Sequence, residues 1–158
     1  MKSQFKALLV IGSFLWFTGG VYGQTEIKFW INSSLGNTEK LAYQKAAEEF
    51  SQKNPKFKVN VEVVPGSETD IAKLMTAVRS GAGPDVAVID RFTIAQRAAT
   101  GLLVDLTPLI DKEGKDLSQV YSEGPWREVL YQNKVYALPT NTERGCFFIT
   151  SNSLKRPE

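Results

Sequence analysis

The sequence predicts an α/β fold, a doubly wound unit on a mostly parallel sheet, and two observations carry that expectation. Apolar strands and amphipathic helices alternate in the order strand, helix, strand, helix, strand within about 65 residues, the pattern of a parallel sheet covered on both faces. In the middle of this alternation Gly81-Ala-Gly-Pro-Asp85 stops a helix, and Val86-Ala-Val-Ile89 follows as an unbroken apolar run. Such a run suits a strand buried on both faces, and here it ends abruptly in Asp90 and Arg91. Ligands of open parallel sheets are held at the carboxyl ends of the strands, so Asp90 and Arg91 are candidate contacts.

Each element follows from local chemistry. Residues 26–31 (Glu-Ile-Lys-Phe-Trp-Ile) are aromatic and β-branched, which predicts the first strand. Asn32 to Thr38 is polar turn sequence, and Asn37 or Thr38 caps a helix running to about Lys53, with Tyr43, Ala46, Ala47 and Phe50 on its inner face. Asn54-Pro55 ends that helix. Phe57, Val59, Val61 and Val63 alternate with polar residues as a half-buried strand. After Ser67 a second helix places Ile71, Leu74, Met75 and Val78 on one side. The third strand spans 85–89, and the loops after the first and third strands converge on one edge. Residues 93–100 predict a helix stopped by Gly101, and Leu103, Leu106 and Leu109 are packing positions around Thr107-Pro108. Residues 114–124 are polar loop with a short helix, residues 126–131 give no clear pattern, and residues 134–138 predict a strand before a turn over 139–144.

The N-terminus has the form of a secretory signal. Met1-Lys-Ser-Gln-Phe-Lys6 is basic, residues 7–17 are apolar, and Val21 and Gly23 supply small residues before a cut that leaves Gln24 first. The eleven-residue apolar core falls short of the roughly 20 that span a bilayer. The expectation is an exported, soluble protein, periplasmic or extracellular, with residues 1–23 removed. That cut takes Lys2 and Lys6 and no acid, which leaves 17 basic against 17 acidic groups. No electrostatic footprint for nucleic acid remains. The chain has no histidine and a single cysteine, Cys146, so a Ser-His-Asp or Cys-His site and a histidine metal site are excluded within it. No metal and no cofactor are expected. About 135 mature residues suffice for one core.

Five fragments then occur in series: Phe29-Trp30-Ile31-Asn32, Gly83-Pro84-Asp85-Val86, Asp90-Arg91-Phe92, the run Gly101-Leu-Leu-Val-Asp-Leu-Thr-Pro108, and Lys134-Val-Tyr-Ala-Leu-Pro139. In this order and spacing the chain resembles the extracellular solute-binding proteins of bacterial ABC importers, the sugar-binding family that includes the maltose-type proteins. The match covers residues 25–145. It implies the first lobe of a two-lobed, hinge-closing protein that captures a sugar and delivers it to a membrane permease, as a monomer and without catalysis. Carried over position by position, it implies ligand contacts at Asn32 and Ser34 after the first strand, at the pair Asp90 and Arg91, and at Glu143 with Arg144 near the crossover between lobes. Ser34 and Leu35 stand where the maltose-type site has an acid and a lysine, and Ala87 where it has a stacking tryptophan. Maltose is therefore not the expected sugar. Sugar hydroxyls both donate and accept, so carboxylates, amides and an arginine fork suit them, with aromatics over the apolar ring faces.

Plainer readings stand beside these. Asp90-Arg91 can be a solvated ion pair of little energetic weight, and Asn32 to Ser34 ordinary turn chemistry. Phe29 and Trp30 are expected in the core rather than as a sugar platform. Two other functions compete: a secreted glycosidase using Asp90 and Glu143 as its carboxylate pair, and a surface fragment without a ligand. The resemblance also implies that the second lobe is missing from the chain and that the part present is poorly stable. Residues 146–158 depart from the family's next motif. Read one base early, their codons permit Tyr-Asn-Lys-Gln-Leu-Phe-Lys-Glu-Ala-Gly, which gives the expectation of a frameshifted tail.

Overall fold

The computed structural model describes residues 23–65, 71–140 and 145–149. The expected signal segment, Glu143 and Arg144 lie outside the described residues, as do residues 150–158. Five strands form the main sheet in the order β2-β1-β3-β7-β6: β1 (Thr25–Asn32), β2 (Phe57–Val64), β3 (Val86–Asp90), β6 (Leu138–Pro139) and β7 (Gly145–Ile149). β1 pairs in parallel with β2 and with β3, while β7 runs antiparallel to both β3 and β6. Four of these strands therefore point one way, and only β7 is reversed. A hairpin of β4 (Leu130–Tyr131) and β5 (Lys134–Val135) stands beside the sheet, turned by Gln132 and Asn133, both at positive φ.

Helices cover both faces: α1 (Asn37–Lys53), α2 (Ile71–Arg79), α3 (Ile94–Ala99), α4 (Thr107–Glu113) and α5 (Glu123–Glu128). The period-two alternation of the strands divides the apolar residues between two cores. Phe29, Ile31 and Val88 face α1 with Leu35, and Tyr43 meets the Phe29 ring edge-on at 5.8 Å. On the other face Ala87 and Ile89 pack with Leu74 and Val78 of α2, Ile94 of α3, Leu102, Leu103 and Val129, and Trp30 lies against them. Phe29 and Trp30 are thus core residues; the Trp30 indole also donates to Glu62 Oε2 at 2.8 Å.

Several local expectations are corrected. The inner face of α1 is Tyr43 and Ala47; Ala46 and Phe50 are exposed, and Phe50 meets Phe57 across the helix end at 6.4 Å. Leu109 is exposed, while Leu102, Leu103 and Leu106 are buried. The expected strand over 134–138 is two short ones, β5 and β6, broken where the chain leaves the hairpin for the main sheet. The patternless stretch 126–131 is the end of α5, Val129 and the whole of β4.

The sequence motifs turn out to be joints. At Gly83-Pro84-Asp85 the Lys28 N–H donates to Asp85 Oδ2 at 2.8 Å, and the Asp85 N–H donates to the Lys28 carbonyl at 2.9 Å. Asp85 is buried, and this clasp sets β3 in register with β1, Phe29 beside Val86. Gly83 is required by close approach: a Cβ there would lie 2.7 Å from Val78 Cγ2 and 2.8 Å from Val78 Cα. Gly101, at φ 71°, ends α3. A second joint ties the Gly101–Pro108 motif to the Lys134–Pro139 motif. The Leu106 N–H donates to the Val135 carbonyl, the Val135 N–H to Thr107 Oγ1, and the Asp105 carboxylate accepts from the Thr107 N–H and pairs with Lys134 Nζ at 3.0 Å.

Two measurements check these joints. Gly83→Ala is expected to destabilise the protein by about 1–3 kcal/mol, because the α2 backbone must move to admit the methyl group; chemical denaturation measures it. At Asp105, burial pushes the carboxyl up, but the hydrogen bonds from Thr107 and Lys134 outweigh it and hold it below its ordinary value. Asp105 raises Lys134 in turn. A folded-state carboxyl that is lowered gives stability present above its ordinary value and lost as pH falls through the lowered one. Asp105→Asn should therefore narrow the difference in Tm between pH 7 and pH 3.

Candidate functional site

The parallel pairing of β1 with β3 brings the loops after both strands to one edge, as the alternation predicts. Asn32 closes β1 and Asp90 closes β3. Past Asp90 the chain turns through a 3-10 segment, Arg91–Thr93, into α3. Asp90 shapes this turn itself: its Oδ1 accepts from the Phe92 N–H at 3.0 Å and its carbonyl from Thr93 Oγ1 at 2.7 Å. Its other carboxylate oxygen, Oδ2, accepts no hydrogen bond among the described residues. Asp90 is 9% exposed.

Arg91 is not the partner of Asp90 and is not a solvated charge. It is 3% exposed, and its Nε donates to Glu128 Oε2 of α5 at 2.7 Å. The ion pair therefore joins the 3-10 turn to the end of α5. Glu128 is a residue that sequence reasoning missed. It stands 37 positions from Arg91 in a stretch with no periodic signal, and only the tertiary fold brings the two together.

Asn32 is 5% exposed. Its Oδ1 accepts from both the backbone N–H and the hydroxyl of Ser34, which is the turn chemistry expected of Asn before a helix. Its Nδ2 is buried and has no hydrogen-bond partner among the described residues. A buried amide without a partner is costly, and Asn32 lines the small cleft beside β3. Ser34 is exposed, so its hydroxyl lone pairs face solvent. Ala87, which the resemblance set at the ring-stacking position, is buried in the core.

The edge alone encloses little space. Beside Asn32 a cleft of about 40 Å³ is lined by Trp30, Leu74, Ile89 and Arg97, far below the roughly 300–1,000 Å³ of a ligand pocket. A wider hollow of about 400 Å³ lies between α4 and α5, lined by Thr107, Asp111, Lys115 and Trp126. The Trp126 ring is already stacked there on Tyr121 at 5.7 Å. Among the described residues no group of three His, Cys, Asp or Glu side chains is placed to hold a metal ion.

Known proteins match this arrangement. The family model of the bacterial extracellular solute-binding proteins matches residues 36–156. Among solved structures, an ABC substrate-binding protein from Listeria monocytogenes, in complex with cycloalternan, is 29% identical with a TM-score of 0.61, over 73% of this chain and 28% of its own. An ABC transporter associated binding protein from B. animalis subsp. lactis, in complex with β-1,6-galactobiose, is 29% identical with a TM-score of 0.59, over 73% and 26%. The GacH receptor of Streptomyces glaucescens, solved unliganded and with acarbose, is 28% identical with a TM-score of 0.61, over 73% and 29%. The chain thus spans less than a third of the length of these structures. No curated protein matches the chain. With its fold, its edge residues and a family match over most of its length, the chain belongs to the bacterial extracellular solute-binding proteins.

Proposed function

We propose that this protein captures a saccharide as the binding component of an ABC importer, outside the cytoplasm and without catalysis, and hands it to a membrane permease. The observation that carries the reading is the state of Asp90. A largely buried carboxylate at the carboxyl end of a central strand spends one oxygen on its own turn and keeps the other for a hydroxyl donor. Asn32 on the neighbouring strand offers the complementary group, an amide N–H without a protein acceptor among the described residues. Together they match a hydroxyl that donates to one and accepts from the other. The solved relatives hold an oligosaccharide, a disaccharide and an acarbose, which supports sugars as the substrate class.

In this reading Asn32, Ser34 and Asp90 touch the sugar. Arg91, whose Nε is held by Glu128, contributes its positive charge to the site from a set position. Glu143 and Arg144 complete the set from the segment before β7. The remainder of the cleft belongs to a facing lobe, and hinge closure buries the ligand. Residues 1–23 act as the cleaved export signal. In the same proposal residues from about Cys146 onward are a frameshift product, of which Cys146 to Ile149 pair as part of β7.

Two experiments separate these roles. Calorimetry of the intact protein with β-1,6-galactobiose, mannobiose and maltose should find a disaccharide that binds, and Asp90→Asn should weaken it by about 1.5–3 kcal/mol, the range for a charged hydrogen bond. Unchanged affinity would remove Asp90 from the site, and hydrolysis of the disaccharide would replace binding by catalysis. Arg91→Ala differs because Arg91 is buried and paired. It should cost about 1–3 kcal/mol of folding stability, since Glu128 is left half-buried without its cation. Glu128→Ala should reproduce most of that loss, with less than additive effects in the double variant.

A further inference from the structure

The 3-10 turn after β3 inverts the usual order of burial. Asp90 and Arg91, which carry charge, are packed inside, while Phe92 between Arg91 and Thr93 is 69% exposed. What sets Phe92 apart from other exposed apolar side chains is its place, two residues after the candidate ligand contact Asp90. The turn is built to hold it. Asp90 Oδ1 accepts from the Phe92 N–H, Thr93 Oγ1 donates to the Asp90 carbonyl, and Arg91 is anchored to Glu128. The backbone of Phe92 is therefore fixed relative to the free oxygen of Asp90.

We propose that Phe92 is the aromatic platform of the sugar site, covering the apolar C–H face of the ring whose hydroxyl Asp90 accepts. The proposal rests on the saccharide-binding reading above. It deepens that reading by placing the carboxylate and the ring that orient one sugar unit on a single turn, two residues apart. Aromatic contact supplies affinity for the C–H face, and the carboxylate fixes which hydroxyl lies beside it. The sugars taken are then pyranosides with a continuous C–H face next to a free hydroxyl. Small polyols and open-chain sugars, which lack such a face, are not.

The test uses the intact protein and β-1,6-galactobiose or mannobiose, whichever calorimetry finds to bind. Phe92→Ala should weaken that disaccharide about tenfold with an unchanged Tm, Phe92→Trp should bind at least as tightly as the parent, and Phe92→Leu should fall between. Proton NMR of the bound disaccharide should show ring C–H signals shifted upfield by the aromatic ring, and that shift should vanish in Phe92→Leu. Asp90→Asn, measured alongside, separates the two levels. If Asp90→Asn weakens binding but Phe92→Ala leaves affinity and the upfield shifts intact, the site stands and the platform is refuted. If neither variant changes affinity, the edge itself is not the site. A loss of affinity in Phe92→Ala without any upfield shift in the parent assigns Phe92 to contact between lobes and overturns the proposal.

Discussion

The clasp between Asp85 and Lys28 is the constraint on which the rest of the lobe depends. Two hydrogen bonds, one through the carboxylate and one through the backbone, fix where β3 begins against β1. A parallel pair has no hairpin turn to set its register, and a one-residue slip would turn every core side chain to the wrong face. Were β3 to slip, Ala87 and Ile89 would leave one core, Val88 the other, and Asp90 would no longer stand beside the end of β1. Gly83 and Pro84 serve the same joint: Gly83 lets α2 come within contact of the turn, and Pro84, fully buried, stiffens the entry. Charge buried at the amino end of the strand thus determines what its carboxyl end can present.

The first joint and the site are consequently at opposite ends of the same strands. The second joint, Asp105 with Thr107 and Lys134, works likewise: it fastens the motif after α3 to the β4–β5 hairpin and so steadies α5, which lies between them in sequence. α5 carries Glu128, and Glu128 holds Arg91. A chain of ordinary contacts therefore runs from a surface ion pair to the turn that exposes Phe92. None of these groups needs to touch a ligand to matter for it, because each limits where Asp90 can be.

The parts of this account visible in the sequence are those with a period or an interruption. β1, α1, β2 and β3 fall within a residue or two of their expected bounds, since their alternations run eight to seventeen residues or end at Gly and Pro. The inner face of α1 was harder to see, because Tyr43–Ala47 and Ala46–Phe50 are adjacent apolar stripes and local spacing does not say which one meets the sheet. β4, β5 and β6 have two residues each, too short for any pattern. At the site, Asp90 was legible because a charge ends a buried strand. The pairing of Arg91 with Glu128 was not, and neither was the exposure of Phe92. Both depend on how α5 returns across the turn, which no local spacing encodes.

The central claim is that saccharide binds at the carboxyl edge of β1 and β3 while the conspicuous motifs serve as joints elsewhere. Amide NMR of the intact protein, titrated with the disaccharide that binds, tests it most directly. The account predicts the largest shifts at Asn32 to Ser34 and Asp90 to Phe92, with small ones at Gly83 to Asp85 and at Asp105 to Thr107. Shifts concentrated at the hollow between α4 and α5, or at the amino ends of the strands, would contradict it.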